Sequence, residues 1–176
     1  MQNIFWEIDG IKGESTSDQG KDMIELLSFT HGVAMPLAGG APEGHSAARG
    51  RPPSPSNTSR ASGRSVHKDF VITKRIDLSS TTLNLKCCGG EDIKSMKVHV
   101  WKADTAGKPI EYLTYTMESC IVTSVAVSGA EDQPLETVTF NYKKITWDYN
   151  QQLQAQPGGK KGKNSSQWSL QENKGS

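Results

Sequence analysis

The chain has 176 residues and a formal net charge of +1, from 20 basic and 19 acidic side chains. Only 34% of its residues are hydrophobic, and its mean hydropathy of −0.57 implies a core diluted by polar segments that stay outside it. No apolar run reaches the ~20 residues that a membrane-crossing helix needs. The first nine residues lack the pattern of a signal peptide.

Ile4, Trp6 and Ile8 alternate with polar residues, which predicts a half-buried strand ended by Asp9-Gly10. A polar stretch with Gly13 and Gly20 as turn residues leads to a second strand over about 22–33, with Met23, Leu27, Phe29 and Val33 on one face. Residues 34–64 then hold five Pro, five Gly, five Ser and six Ala, and nothing in them supports regular structure. A connection of that length is either functional or disordered. It also carries Arg49, Arg51, Arg60 and Arg64 against the single acid Glu43.

Order resumes at Val66, with Val66, Phe70, Ile72 and Ile76 predicting a third strand. Asp77-Leu78-Ser79-Ser80 supplies helix-capping chemistry for a short helix over roughly 79–88, closed by Gly89-Gly90. Strands follow at about 94–103, 110–117 and 120–128. A long last strand runs over 135–149. There Val138, Phe140 and Tyr142 share one parity while Ile145, Trp147 and Tyr149 share the other, which predicts a bulge or sharp bend at Lys143-Lys144. Residues 151–176 read as a flexible basic tail, in which Trp168-Ser169-Leu170 has the makings of a short late strand. The fold class is mainly β, a compact barrel of about seven to eight strands with one short flanking helix. It forms a single domain over 1–150, interrupted by the flexible loop 34–64.

Both low-complexity segments have a net charge of +3, so the remaining 119 residues form an acidic body of net −5. The plain reading of the two segments is solvated linker. Aromatics on strands (Trp6, Phe70, Trp101, Tyr112) suit base stacking only among basic residues, and on an acidic body they read as core. Three cysteines, with Cys87 and Cys88 adjacent, argue against a disulfide framework and for a reducing compartment. No spaced Cys/His set points to zinc, and Cys87 and Cys120 read as small buried residues. The run Gly158 to Lys163 fails as a phosphate loop, because Pro157 and Asn164 stand where Gly and Ser/Thr are needed. Without a nucleophile elbow or paired carboxylates, no enzyme and no cofactor is expected.

Several segments read together carry a resemblance. They are Ile8-Asp9-Gly10-Ile11-Lys12-Gly13-Glu14-Ser15, the stretch from Ile24 to Gly32, and the stretch from Asp69 to Asp77 followed by Ser79-Ser80 and Leu83. Glu111-Tyr112-Leu113, Val122-Thr123-Ser124-Val125 and Glu136-Thr137-Val138-Thr139-Phe140 complete the set. In this order the chain resembles the haemolysin co-regulated protein (Hcp) family of the bacterial type VI secretion system, over roughly residues 1–33 and 66–150.

The resemblance implies a β-barrel assembled as a homo-hexameric ring with an open centre. It implies rings stacked into the inner tube, fired by a contractile sheath, tipped by a spike protein and sheltering small effectors. It also implies assembly in the bacterial cytoplasm and export by the machine itself, with no catalytic residues, no nucleic acid and no membrane insertion. Thr30 is then a lumen-facing candidate, against the plain reading of an exposed strand threonine. Arg49, Arg51, Arg60 and Arg64 are candidates to reach an acidic surface on the adjacent ring. The chain departs from the family in having His31 where members often place an aromatic before the strand-ending Gly, and in the long basic loop. Other classes fit the same elements: a stand-alone extracellular β-barrel effector or binding module, and a phage-like tail-tube protein.

Overall fold

Apolar alternation builds the strands of this protein, and the helix forms where that alternation lapses. The computed structural model describes residues 2–36, 63–103, 109–129, 133–151 and 162–176. In chain order the elements are β1 (Gln2–Ile8), β2 (Ile24–Thr30), β3 (Val33–Ala34), β4 (Val66–His67), β5 (Phe70–Arg75), α1 (Ser79–Gly89), β6 (Asp92–Ala103), β7 (Pro109–Ser128), β8 (Leu135–Asn150), β9 (Lys163–Ser169) and β10 (Lys174–Gly175). They fall into two units, Gly32–Lys68 and the remainder.

In the larger unit the strands follow the order β8-β5-β2-β1-β6-β7, and β7 pairs back onto β8. Every pairing is antiparallel, so six strands close a barrel, with β9 and β10 extending the sheet from β8. The mainly β barrel with one short helix is as expected. Its strand number is six because the stretches expected at 110–117 and 120–128 are one strand, β7. Trp6, Phe70, Ile72, Phe140 and Ile145 are among its fully buried residues, and Trp6 stacks on Phe140 at 5.6 Å between ring centroids. The segment between β1 and β2 lies close on the barrel, where a Cβ on Gly20 would sit 2.4 Å from the Phe5 ring.

Two expected faces differ. In β2 the core residues are Ile24 and Leu26, while Leu27 is 48% exposed. A register shift between Leu26 and Ser28 then changes the phase, so that Phe29 packs on Phe70. In β5 the third inward place is taken by Lys74, and Ile76 lies beyond the strand, exposed.

The phase change expected at Lys143-Lys144 takes another form. The buried set of β8 does pass from Tyr142 to Ile145, and that of β7 passes from Met117 to Cys120. The register between them is the same on both sides, with Met117↔Ile145 and Cys120↔Tyr142. The two strands therefore turn together. The turn falls at Ser119, whose φ of 49° is left-handed. Here β8 also leaves β5, last paired at Phe70↔Phe140, and takes up β9 from Lys144↔Ser169. The register shift in this pair lies further along, between Val122 and Ser124.

Asp77 starts the helix, its Oδ1 accepting the Ser79 N–H at 2.9 Å. Gly90 ends it at φ 59°, its N–H donating to the Cys87 carbonyl. Under α1 lies a buried polar network that sequence reasoning missed. The Lys74 ammonium, with a fully buried side chain, is 2.7 Å from Glu136 Oε2 and 2.8 Å from Asp77 Oδ1. It donates to Ser80 Oγ, which donates in turn to Glu136.

Residues 163–175, read from sequence as tail, form β9 and β10. Trp168 and Leu170 pack against the core, and the ladder to β8 satisfies the backbone groups on that side of β9. In the smaller unit, β3 and β4 form a hairpin through Val33↔His67 and Ala34↔Val66. Val33, Met35 and Val66 on it are exposed. Burial holds the His67 imidazole below its usual range.

Candidate assembly surfaces

Four features stand out on the surface of the larger unit. The first is the end where β2 stops and β5 starts. Thr30 is exposed there, paired with Val71. His31 follows it and is half-buried among aromatics, with ring centroids 5.3 Å from Phe70, 5.7 Å from Tyr142 and 6.2 Å from Tyr115. His31 Nε2 and the Tyr142 hydroxyl lie 2.5 Å apart. Burial, with Asp69 and Cys120 nearby, pushes the Tyr142 phenol well above its usual range. The imidazole thus occupies an aromatic's place and adds a hydrogen bond no phenyl ring offers.

The second surface lies at the other end of the same strands, where β5 finishes. A groove of about 320 Å³ opens there, lined by Glu14, Glu25, Leu27, Arg75, Ile76 and Asp77 among others. Leu27 and Ile76 are exposed, and Leu78 next to them is 70% exposed. Glu14 Oε1 accepts the Leu78 N–H at 2.9 Å, and Glu25 Oε1 accepts from Ser15 Oγ at 2.8 Å.

The third surface is the outer wall across β1, β6 and β7. His99 sits between two carboxylates, its Nδ1 by Glu111 Oε1 and its Nε2 3.2 Å from Glu7 Oε2. Partial burial works to raise the Glu7 carboxyl, but hydrogen bonds from His99 and Lys97 and the lysine's charge outweigh it and hold the group below its usual range. Nearby, Lys102 Nζ lies over the Tyr112 ring at 5.1 Å. The fourth is the outer edge of β9. Among the described residues, β10 pairs only with Ser169 and Trp168, so Lys163 to Ser166 face outward along an uncovered edge.

Of the residues singled out from sequence, Thr30 and Arg64 are both exposed, in the larger and the smaller unit respectively. Arg49, Arg51 and Arg60 lie outside the described residues. The groove carboxylates and the β9 edge were not singled out. Glu14 and Glu25 stand eleven positions apart and meet only through the loop that returns over β1.

Comparison with known proteins gives this geometry its relatives. The family model described as type VI secretion system effector, Hcp, matches residues 5–149. Protein hcp1 of Pseudomonas aeruginosa is 34% identical over 87 residues, 48% of this chain and 53% of that protein, so the match spans about half of that relative. The major exported protein of the same organism is 26% identical over 145 residues, 78% of this chain and 74% of that one. A solved type six secretion system protein superposes with a TM-score of 0.81 at 25% identity, covering both chains completely. Hcp1 from Salmonella typhimurium gives 0.69 at 26% identity, covering 99% of this chain and 98% of that one. With the family pattern running from the first strand to the end of the long eighth one, on a barrel of the same shape, the chain belongs to the Hcp family of type VI secretion proteins.

Proposed function

We propose that this chain is the ring subunit of a type VI inner tube. Six copies close into a ring, rings stack, and small effector proteins travel in the lumen. The observation that carries the reading is the family match over residues 5–149 on a closed barrel. Hcp proteins are non-enzymatic secretion proteins that form hexameric rings. A closing ring needs two different complementary surfaces on each subunit. The uncovered edge of β9 is one, since its backbone groups stand ready to pair with a neighbour. Thr30 faces the lumen, where its hydroxyl gives cargo a weak polar contact. The tube is built in the bacterial cytoplasm, with the sheath outside it and the spike at its tip, and leaves through the machine.

Size-exclusion chromatography with negative-stain microscopy tests the reading. Six-fold rings with a central hole are expected, and a compact monomer overturns it. Thr30→Arg is expected to leave the rings intact and to reduce co-purification of cargo. Equal cargo on the variant removes Thr30 from the lumen.

A further inference from the structure

We propose that His99, Glu7 and Glu111 form a proton-dependent brace on the wall of the barrel, tying β1 to β6 and β7 while the imidazole carries both N–H protons. The inference stands apart from the tube reading, because the brace lies within one subunit. Three observations support it. First, each ring nitrogen of His99 faces a carboxylate oxygen: Nδ1 faces Glu111 Oε1, and Nε2 lies 3.2 Å from Glu7 Oε2. An ionised carboxylate only accepts, and a neutral imidazole has one N–H and one lone pair. Both contacts are therefore hydrogen bonds in the imidazolium alone. In the neutral ring a lone pair is set against one of the carboxylates, and that contact turns from attraction to repulsion.

Second, the surroundings hold both carboxylates against the ring. The His99 side chain is only 13% exposed, so water does not readily replace a lost partner. Thr114 Oγ1 donates to Glu111 Oε1 at 2.9 Å, and Lys97 Nζ donates to Glu7 Oε2 at 3.3 Å. Burial works to raise the Glu7 carboxyl, but His99 and Lys97 outweigh it, so Glu7 is ionised throughout the range in which imidazoles titrate. In the same row of the sheet, Glu25 of β2 stands across Phe5, and Asp148 of β8 stands across Thr114. Lys102 is turned onto the Tyr112 ring instead.

Third, the backbone builds the site and gives it something to hold. The register of β6 and β7 passes from Val100↔Leu113 to Trp101↔Glu111, which makes Tyr112 the extra residue of a bulge. Glu111 and Thr114 differ in parity and would otherwise point to opposite faces. With the bulge, both reach the same side of the sheet. On the other flank, β1 pairs with β6 from Gln2↔Lys102 to Ile8↔Met96, but with β2 through Phe5↔Glu25 and Trp6↔Ile24 alone. The residue of β1 opposite His99 is Phe5, so the brace lies beside this short seam and secures β1 from the β6 side.

The test is urea unfolding of the full chain at about pH 5.5 and about pH 8.5, on either side of the range in which imidazoles titrate. All chains are compared at one protein concentration, so that any assembly enters each measurement alike. The brace contributes while the ring is protonated, and its contribution fades as pH rises and the proton leaves. Other groups titrate in the same interval, so the difference between chains carries the result. Between the two pH values the unfolding constant of the wild type is expected to rise about threefold or more beyond that of His99→Gln. Glu111→Gln supplies an amide N–H to the lone pair of the neutral ring, so it is expected to flatten the pH dependence as His99→Gln does. Joining the two substitutions is expected to flatten it no further, since both act on one contact. Equal pH dependence in the wild type and His99→Gln overturns the proposal, as does a steeper alkaline decline in the variant. Should His99→Gln fail to fold, Glu111→Gln decides alone, and a decline as steep as that of the wild type overturns it.

Discussion

Lys74 shows how much one residue carries in this fold. Its ammonium is sealed between Glu136, Asp77 and Ser80, joining β5, β8 and the start of α1 at one point. Breaking such a pair leaves an uncompensated buried charge, which costs far more than the pair contributes. Lys74→Met is expected to lower stability by about 3–5 kcal/mol. Replacing both partners, Lys74→Met with Glu136→Leu, is expected to recover much of that loss. Urea midpoints of the two variants check this, and a double variant as unstable as the single one contradicts it. Cys120 offers a second measurement. Its thiol is fully buried, and burial, with Asp92 and Glu118 nearby, raises its pKa from 9.0 to about 12. Below pH 9 the group is neutral in both folded and unfolded chains and contributes no pH dependence. Between pH 9 and 12 the unfolded chain loses this proton while the folded chain keeps it, so stability falls as pH rises. Cys120→Ala is expected to show a shallower alkaline decline in urea midpoint, whatever its stability at neutral pH. Parallel declines contradict the assignment.

At the scale of elements, two strands of this barrel are bent by single residues. In β2 the phase change at Leu27 turns Phe29 inward toward Phe70 and exposes Leu27 beside the groove. In β7 the bend falls on Ser119, a non-glycine residue at φ 49°. A β-branched side chain is strained there and glycine is not. Ser119→Val is expected to destabilise by about 1–2 kcal/mol and Ser119→Gly to be neutral or mildly stabilising, as read from thermal melts. The converse order places the bend elsewhere. These bends also mark where sequence reading reached its limit. The parity change after Tyr142 was legible because apolar residues on a half-buried strand reveal their face. Its cause lay on the neighbouring strand, in a residue whose φ leaves no trace in composition. The face of β2 was misread because Leu27 and Phe29 match period two as well as Ile24 and Leu26 do, and the register shift between them has no sequence mark. The helix was legible from both ends, since Asp77 and Gly90 each do a job few residue types do. The pairing of Lys74 with Glu136 was not, because 62 positions of sequence separate two charges that meet only across a ladder.

At the scale of the molecule, a near-zero net charge conceals an acidic barrel and a basic appendage, and their separation allows each to be removed alone. Charge counting made the division legible, whereas the groove emerged only when β2, β5 and the Glu14 loop were brought together. The larger unit has a hydrophobic core of its own, built from β1, β2 and β5 to β8 with Leu83 of α1. The hairpin between β3 and β4 is paired at Ala34↔Val66, so residues 35–65 are the connection. Deleting residues 37–62 leaves Met35-Pro36-Gly63-Arg64-Ser65, a length common for hairpin loops. Loop-closure entropy grows only with the logarithm of length, so this shortening is expected to stabilise the chain by about 1.5 kcal/mol. The urea midpoint should therefore rise slightly, and rings should form as before if the ring contact lies on the barrel. The same deletion removes Arg49, Arg51 and Arg60 and so is expected to abolish stacking at every salt concentration. A deletion variant that keeps its rings and its stability but loses only the stacks separates the two assembly contacts. One that loses its rings shows that the segment belongs to the ring contact instead.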